Sequence, residues 1–143
     1  MGKIISLNIS QGKGVSKEPV ESVEVRVDHG MEGDAHAGDW HRQISLLAEE
    51  SIDFMRNKGL ELNPGAFAEN ITTEGLDLAS LPIGARLSNG QVVLEVTQIG
   101  KKCHHGCAIF QQVGDCVMPR EGIFTKVITP GILRRGDSLD VMP

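Results

Sequence analysis

Seventeen glycines in 143 residues interrupt this chain so often that long helices have little room. Glycine takes backbone conformations that other residues avoid and so marks tight turns. This density suits many short strands joined by turns. Between the glycines the apolar residues are mainly aliphatic. Four Phe, one Trp and no Tyr leave Val, Ile and Leu to build the core. The length fits one domain, residues 1–143, able to bury its own core.

The apolar spacing places the elements. Residues 3–10 read as a strand carrying Ile4, Ile5, Leu7 and Ile9. Residues 21–28 alternate, with Val23, Val25 and Val27 on one side and Glu24, Arg26 and Asp28 on the other, as in a half-buried strand. A short strand at 43–47 leads into the clearest helix, 48–58. There Ala48, Ile52 and Met55 form one stripe, Glu49 and Glu50 sit in the first turn, Arg56 and Lys58 in the last, and Gly59 is placed to end it. Asn63-Pro64-Gly65 reads as a turn. Strands at 85–87 and 92–98 are joined through Ser88-Asn89-Gly90, a hairpin signal. Val92, Leu94 and Val96 share one face. About one helical turn is expected at 108–113, a strand at 123–129, turns at 130–131 and 134–137, and a last strand near 138–141. Seven or eight short strands that do not alternate with helices argue against a doubly wound sheet. The expected fold is mainly β: a closed or nearly closed β-barrel with one main helix and small helical turns.

Net charge excludes some partners. At −5, with no basic run and few aromatics, the chain is not expected to bind nucleic acid. No stretch approaches the roughly 18 apolar residues of a membrane span, so no membrane association is expected. Residues 1–7 lack the features of a signal peptide. A cytoplasmic protein is expected, its three cysteines acting as free thiols or metal ligands.

The chemistry concentrates after the 92–98 strand. Gly100-Lys101-Lys102-Cys103-His104-His105-Gly106-Cys107 holds two lysines, two thiols and two imidazoles, and Cys116 follows. Lysines beside a thiol favour the thiolate, which is both nucleophile and ligand for soft metals. Cys103 stands just past the strand that fixes its position. A structural zinc site using Cys103, Cys107, Cys116 and a His is an alternative: Cys103 and Cys107 would serve as its first ligand pair, but the second would need Cys116 with a distant His. No Cys-x-x-Cys redox motif is present. A second polar stretch, residues 28–42, carries His29, His36 and His41 with four acids and Trp40. It reads either as a metal- or ligand-binding loop or as a wide polar connection.

Glu69-Asn70-Ile71-Thr72-Thr73-Glu74-Gly75-Leu76 resembles the signature of MOSC domains, a family named for the C-terminal domain of molybdenum cofactor sulfurase. Gly30 to Asp34, the stretch from His36 through Arg42 to Leu47, Leu81-Pro82-Ile83-Gly84, and Val96-Thr97-Gln98 followed by Cys103 resemble further segments of that family. The resemblance covers nearly the whole chain. It implies a β-barrel of the MOSC and PK β-barrel type and a role around the molybdenum cofactor, a molybdopterin. It also implies that Cys103 either carries sulfur as a persulfide or coordinates molybdenum. His36, Arg42, Glu69 and Asn70 match other motif positions expected to shape the pocket. Lys101, Lys102, Arg42 and Arg120 are candidate partners for the anionic groups of such a cofactor.

The chain departs from the family pattern in three respects. Lys102 rather than proline precedes Cys103; Cys107 and Cys116 are additional thiols; and no pyridoxal phosphate domain is contained in these residues. The expected function is therefore handling of the cofactor or its sulfur, as a sulfurtransferase-like carrier or a component of a molybdenum oxidoreductase. The expected partners are the cofactor, its biosynthetic proteins and a sulfur donor such as a cysteine desulfurase. The rivals are the zinc module and a molybdenum-dependent reductase of N-hydroxylated compounds that needs a separate electron donor.

Overall fold

The computed structural model describes residues 2–10, 17–35, 37–57, 59, 69–100 and 122–142. Within them lie eleven strands and one α-helix: β1 (Lys3–Ile9), β2 (Glu18–Val20), β3 (Ser22–Arg26), β4 (Gly30–Met31), β5 (Ile44–Ala48), α1 (Glu49–Arg56), β6 (Ile71–Glu74), β7 (Arg86–Ser88), β8 (Val93–Ile99), β9 (Ile123–Thr129), β10 (Gly131–Arg134) and β11 (Asp140–Val141). A 3-10 turn at Leu78–Ser80 precedes β7. The fold is mainly β with one helix, as the turn density requires.

Eight strands form one sheet in the order β11-β7-β8-β9-β5-β6-β1-β2, and β10-β3-β4 form a second. Neighbours run antiparallel except β5 and β6, which are parallel and connected through α1. The helix packs against these two strands and buries Ile52 and Met55. Gly59, at φ +95°, donates its N–H to the Arg56 carbonyl at 3.0 Å just after the helix. The main core gathers Ile4, Leu7, Val25, Leu46, Ile71, Leu94 and Leu133 from both sheets. Val92, Leu94 and Val96 are all buried, as their spacing predicts.

Neither sheet closes on itself among the described residues, so the expected barrel closure is not found as a continuous ladder. The reason lies at β1. Its Leu7–Ile9 half is taken on one side by β2. Only its first residues remain for the segment leading into β11. There Ile4 N–H donates to Asp137 O at 2.8 Å and Gly136 N–H to Ile4 O at 2.9 Å, and Lys3 and Ser138 form a single bridge. That length is too short for a strand pair.

Three further expectations change. Val27 does not share the buried face of Val23 and Val25. It is 45% exposed because the chain turns there, His29 N–H bonding Arg26 O and Asp28 adopting φ +61°. Gly131 does not complete a turn but begins β10, which pairs with β3. The 28–42 stretch is not wholly surface loop: Met31 is fully buried in β4, and Asp34 is buried too. Gly30 permits this approach. It sits at φ +117°, and a Cβ there would lie 2.9 Å from the Gln43 carbonyl oxygen. The turn expected at 63–65, the helical turn at 108–113, and Lys58 lie outside the described residues.

Candidate functional site

Two polar constructions flank the junction of β5 with its neighbours. The first is buried. Asn70, just before β6, faces Ser45 of β5. Its carbonyl oxygen Oδ1 accepts from Ser45 N–H at 2.9 Å and Ser45 Oγ at 3.2 Å, while its own N–H reaches Ser45 O at 3.0 Å. Its Nδ2 donates to Asn8 O at 3.1 Å, and Asn8 N–H donates to Asn70 O at 2.7 Å. Asn70 therefore joins β1 and β5, which are not neighbours in the sheet. Glu69 is fully buried and accepts from Thr72 Oγ1 at 2.8 Å. Asn8 Nδ2 contacts Glu69 O and Thr72 Oγ1, both at 3.3 Å, and Ser6 Oγ donates to Asn8 Oδ1 at 2.7 Å.

Asp34 adjoins this cluster from the 28–42 stretch. Its Oδ1 accepts from Lys17 Nζ at 2.5 Å and from Ser10 N–H at 3.0 Å. Both side chains of the Lys17–Asp34 pair are almost wholly removed from solvent. Burial pushes the Asp34 carboxyl up. Hydrogen bonds from Lys17, Ser10 and Asn70, with the Lys17 charge, outweigh that and hold it below the usual carboxylate range. Charges this deep persist only when paired and hydrogen-bonded.

The second construction surrounds the place where residues 101–121 leave and rejoin the sheet. Gly100 N–H donates to Gly122 O at 2.6 Å, so the ends of that segment meet between β8 and β9. Beside this neck lie His41, Arg42, Gln98 and Phe124. Arg42 Nε donates to Gln98 Oε1 at 3.0 Å, and His41 Nε2 lies 2.9 Å from the same oxygen. Gln98 Nε2 donates to Gly100 O at 2.7 Å. The Arg42 guanidinium carbon lies 5.1 Å from the Phe124 ring centre and 6.0 Å from that of Trp40, both within cation–π reach. Thr97 Oγ1 donates to the carbonyls of His41 and of Phe124, the latter at 3.1 Å.

Of the residues expected at the site, Arg42, Glu69 and Asn70 are thus located. Arg42 stands at the neck; Glu69 and Asn70 stand in the buried junction, where the Asn70 amide is engaged by backbone and Ser45. Cys103, Lys101, Lys102, His104, His105, Cys107, Cys116, Arg120 and His36 lie outside the described residues. Among the described residues no group of three or more His, Cys, Asp or Glu is placed to hold a metal ion. No helix among them is long and apolar enough to cross a membrane.

Sequence reasoning passed over Gln98, Lys17 and Asn8. Gln98 had a detectable signal: a polar residue near the end of an apolar strand, two positions before the glycine that opens the cysteine segment. Lys17 had none, because a lysine in a polar stretch is ordinarily solvated.

Comparison with known proteins adds the lineage. The YUAD protein from Bacillus subtilis superposes with a TM-score of 0.80 at 21% identity, covering 99% of this chain and 96% of that one. YiiM from Geobacillus stearothermophilus superposes with a TM-score of 0.74 at 22% identity, covering 100% of this chain and 76% of its own. YiiM from Escherichia coli gives 0.71 at 19%, covering 100% and 70%. At these identities the likeness speaks for the fold. No curated protein sequence matches the chain. The MOSC domain model matches residues 32–140, spanning the Asp34 turn, the Glu69-Asn70 motif and the neck, and the chain belongs to the MOSC domain family.

Proposed function

We propose that this protein handles the molybdenum cofactor or its sulfur through Cys103, at the neck formed by Gly100 and Gly122. Membership of a family associated with molybdenum-cofactor function supports the reading. The observation that carries it is Arg42. The side chain is half-buried, its Nε is used by Gln98, and its two terminal nitrogens have no partner among the described residues. A guanidinium fixed in this way, with donors to spare, suits an anion such as a phosphate or an oxo group. The residues present therefore fit an anionic, sulfur-rich cofactor: Arg42, with Lys102 and Arg120 from the 101–121 segment, would hold its charge, and Cys103 would provide a thiolate.

When bound, that group supplies a soft metal centre. The chain's own chemistry is that of the thiol. In sulfur transfer the Cys103 thiolate attacks the terminal sulfur of a donor persulfide, such as one formed on a cysteine desulfurase. The donor S–S bond breaks, its thiolate leaves, and a new S–S bond forms on Cys103 with no net oxidation. Lys101 and Lys102, its neighbours in sequence, would stabilise the thiolate that attacks. Asn70 serves this site from behind, by fixing Ser45 of β5, the strand that follows His41 and Arg42, while Glu69 braces Thr72 and Asn8.

The test is native mass spectrometry of protein produced where the cofactor is made, together with persulfide labelling after exposure to a desulfurase. Bound pterin and molybdenum, or a persulfide, should be present in the wild type and lost in Cys103→Ser. Absence of both from the wild type overturns the reading. Stoichiometric zinc that is lost on changing Cys107 or Cys116 would favour the zinc module instead.

A further inference from the structure

The geometry points to Gln98 as the positioning residue of the neck: its one amide group holds Arg42 and His41 together as an anion-receiving pair. This rests on the reading that the neck accepts an anionic ligand.

Sequence and strand register place Gln98 there. In β8 and β9, Val96 pairs with Thr125, but Gln98 pairs with Phe124, so Thr97 is an extra residue in β8. Such a bulge reverses the alternation of the strand beyond it, and bulges next to functional sites re-aim side chains. Without it Gln98 would share the inward face of Val96, which is buried in the core. With it Gln98 stands opposite Phe124, and directly opposite residues share a face of the sheet. Phe124 is the residue on which Arg42 stacks. The extra residue is itself employed, since Thr97 Oγ1 donates to the His41 carbonyl. One bulge thus fixes the backbone of His41 through Thr97 and the side chains of His41 and Arg42 through Gln98.

The hydrogen-bonding roles follow from the partners. Arg42 Nε only donates and Gly100 O only accepts, so the Gln98 amide has one allowed orientation, Oε1 toward Arg42 and Nε2 toward Gly100. His41 Nε2 meets the same oxygen and must carry a proton. Glutamine meets these demands without adding charge. A glutamate would accept from both side chains' nitrogens but would offset the Arg42 charge and lose the bond to Gly100 O. A leucine would fill similar space and hold neither residue.

Trp40 provides the readout. It is the only tryptophan in the chain, with its ring 6.0 Å from the Arg42 guanidinium carbon and 6.0 Å from the His41 ring. Tryptophan fluorescence of the full chain is titrated with molybdate and, separately, with inorganic phosphate. Saturation by phosphate alone assigns the pair to a phosphate group; saturation by molybdate assigns it to a metal oxyanion. Either supports the anion-receiving pair. Gln98→Leu should weaken binding about tenfold, and Gln98→Glu more than Gln98→Leu, because only the latter keeps the Arg42 charge uncompensated. Both variants should unfold within a few degrees of the wild type. Wild-type affinity in Gln98→Leu, or equal losses in the two variants, overturns the positioning role. A wild type that responds to neither anion overturns it as well, while cofactor or persulfide on Cys103 in the separate assay would leave the proposed function standing.

Discussion

Asn70 and Ser45 are tied by their side chains as well as their backbones. Ser45 Oγ donates to Asn70 Oδ1 at 3.2 Å and accepts from Asn70 N–H at 3.0 Å, so the hydroxyl both gives and receives. The same Asn70 amide reaches Asn8 on β1. Replacing it with alanine leaves Ser45 N–H and Asn8 O buried without their partners. Each such group costs about 1–3 kcal/mol. Asn70→Ala should lose about 3 kcal/mol of stability, read as a lower denaturation midpoint with unchanged slope.

Asp34 makes stability depend on acid. Its folded-state carboxyl lies below the usual range, because the Lys17, Ser10 and Asn70 contacts outweigh burial. An unfolded chain carries it near its usual value, about 4. The stabilisation is therefore fully present above that value and is lost as pH falls through the lower folded one. Lys17→Met strands a buried carboxylate and should cost about 3 kcal/mol at pH 7. Without the Lys17 bond and charge, burial is opposed only by the Ser10 and Asn70 contacts and the Asp34 carboxyl sits higher than in the wild type, so the variant should regain part of its deficit on acidification. Denaturation at a series of pH values checks the crossing trend.

Arg42→Lys keeps the charge but loses the Nε contact to Gln98 and the planar stack on Phe124. Anion affinity by tryptophan fluorescence should fall about fivefold, with stability changed by less than about 1 kcal/mol. Equal affinity for the lysine variant would show that charge alone matters there.

Gly30→Ala tests the close approach of β4 to Gln43. The left-handed φ of +117° and the 2.9 Å meeting with the Gln43 carbonyl both oppose a Cβ. A loss of about 2–3 kcal/mol is expected. Because Gln43 Oε1 also accepts from Val127 N–H at 2.9 Å, amide exchange at Val127 should accelerate too.

The strand with period-two apolar spacing was legible in the chain: Ser22–Arg26 lies within the alternating 21–28 stretch, and α1 follows its Ala48, Ile52, Met55 stripe. β2, β4 and β10 were not. β4 and β10 begin on glycines and carry too few residues to show a period, and β10 pairs with β3, a strand distant in sequence. The site divides in the same way. Arg42, Glu69 and Asn70 announced themselves through a motif, but the motif could not say that Asn70 faces Ser45. Lys17 and Gln98 take their roles from partners 17 and 56 positions away. For Lys17 such long-range pairing leaves no local trace, and for Gln98 the only trace is its place near the end of an apolar strand.

The contact between Gly100 and Gly122 has a consequence for how such a protein can vary. The segment between them leaves and returns through one hydrogen-bonded gate, so its length is of little concern to the register of β8 and β9. Chain of different length or composition grafted between these two glycines would leave the scaffold intact. Changes of specificity can therefore arise there as interchangeable cassettes, while His41, Arg42 and Gln98 stay in place as a fixed socket.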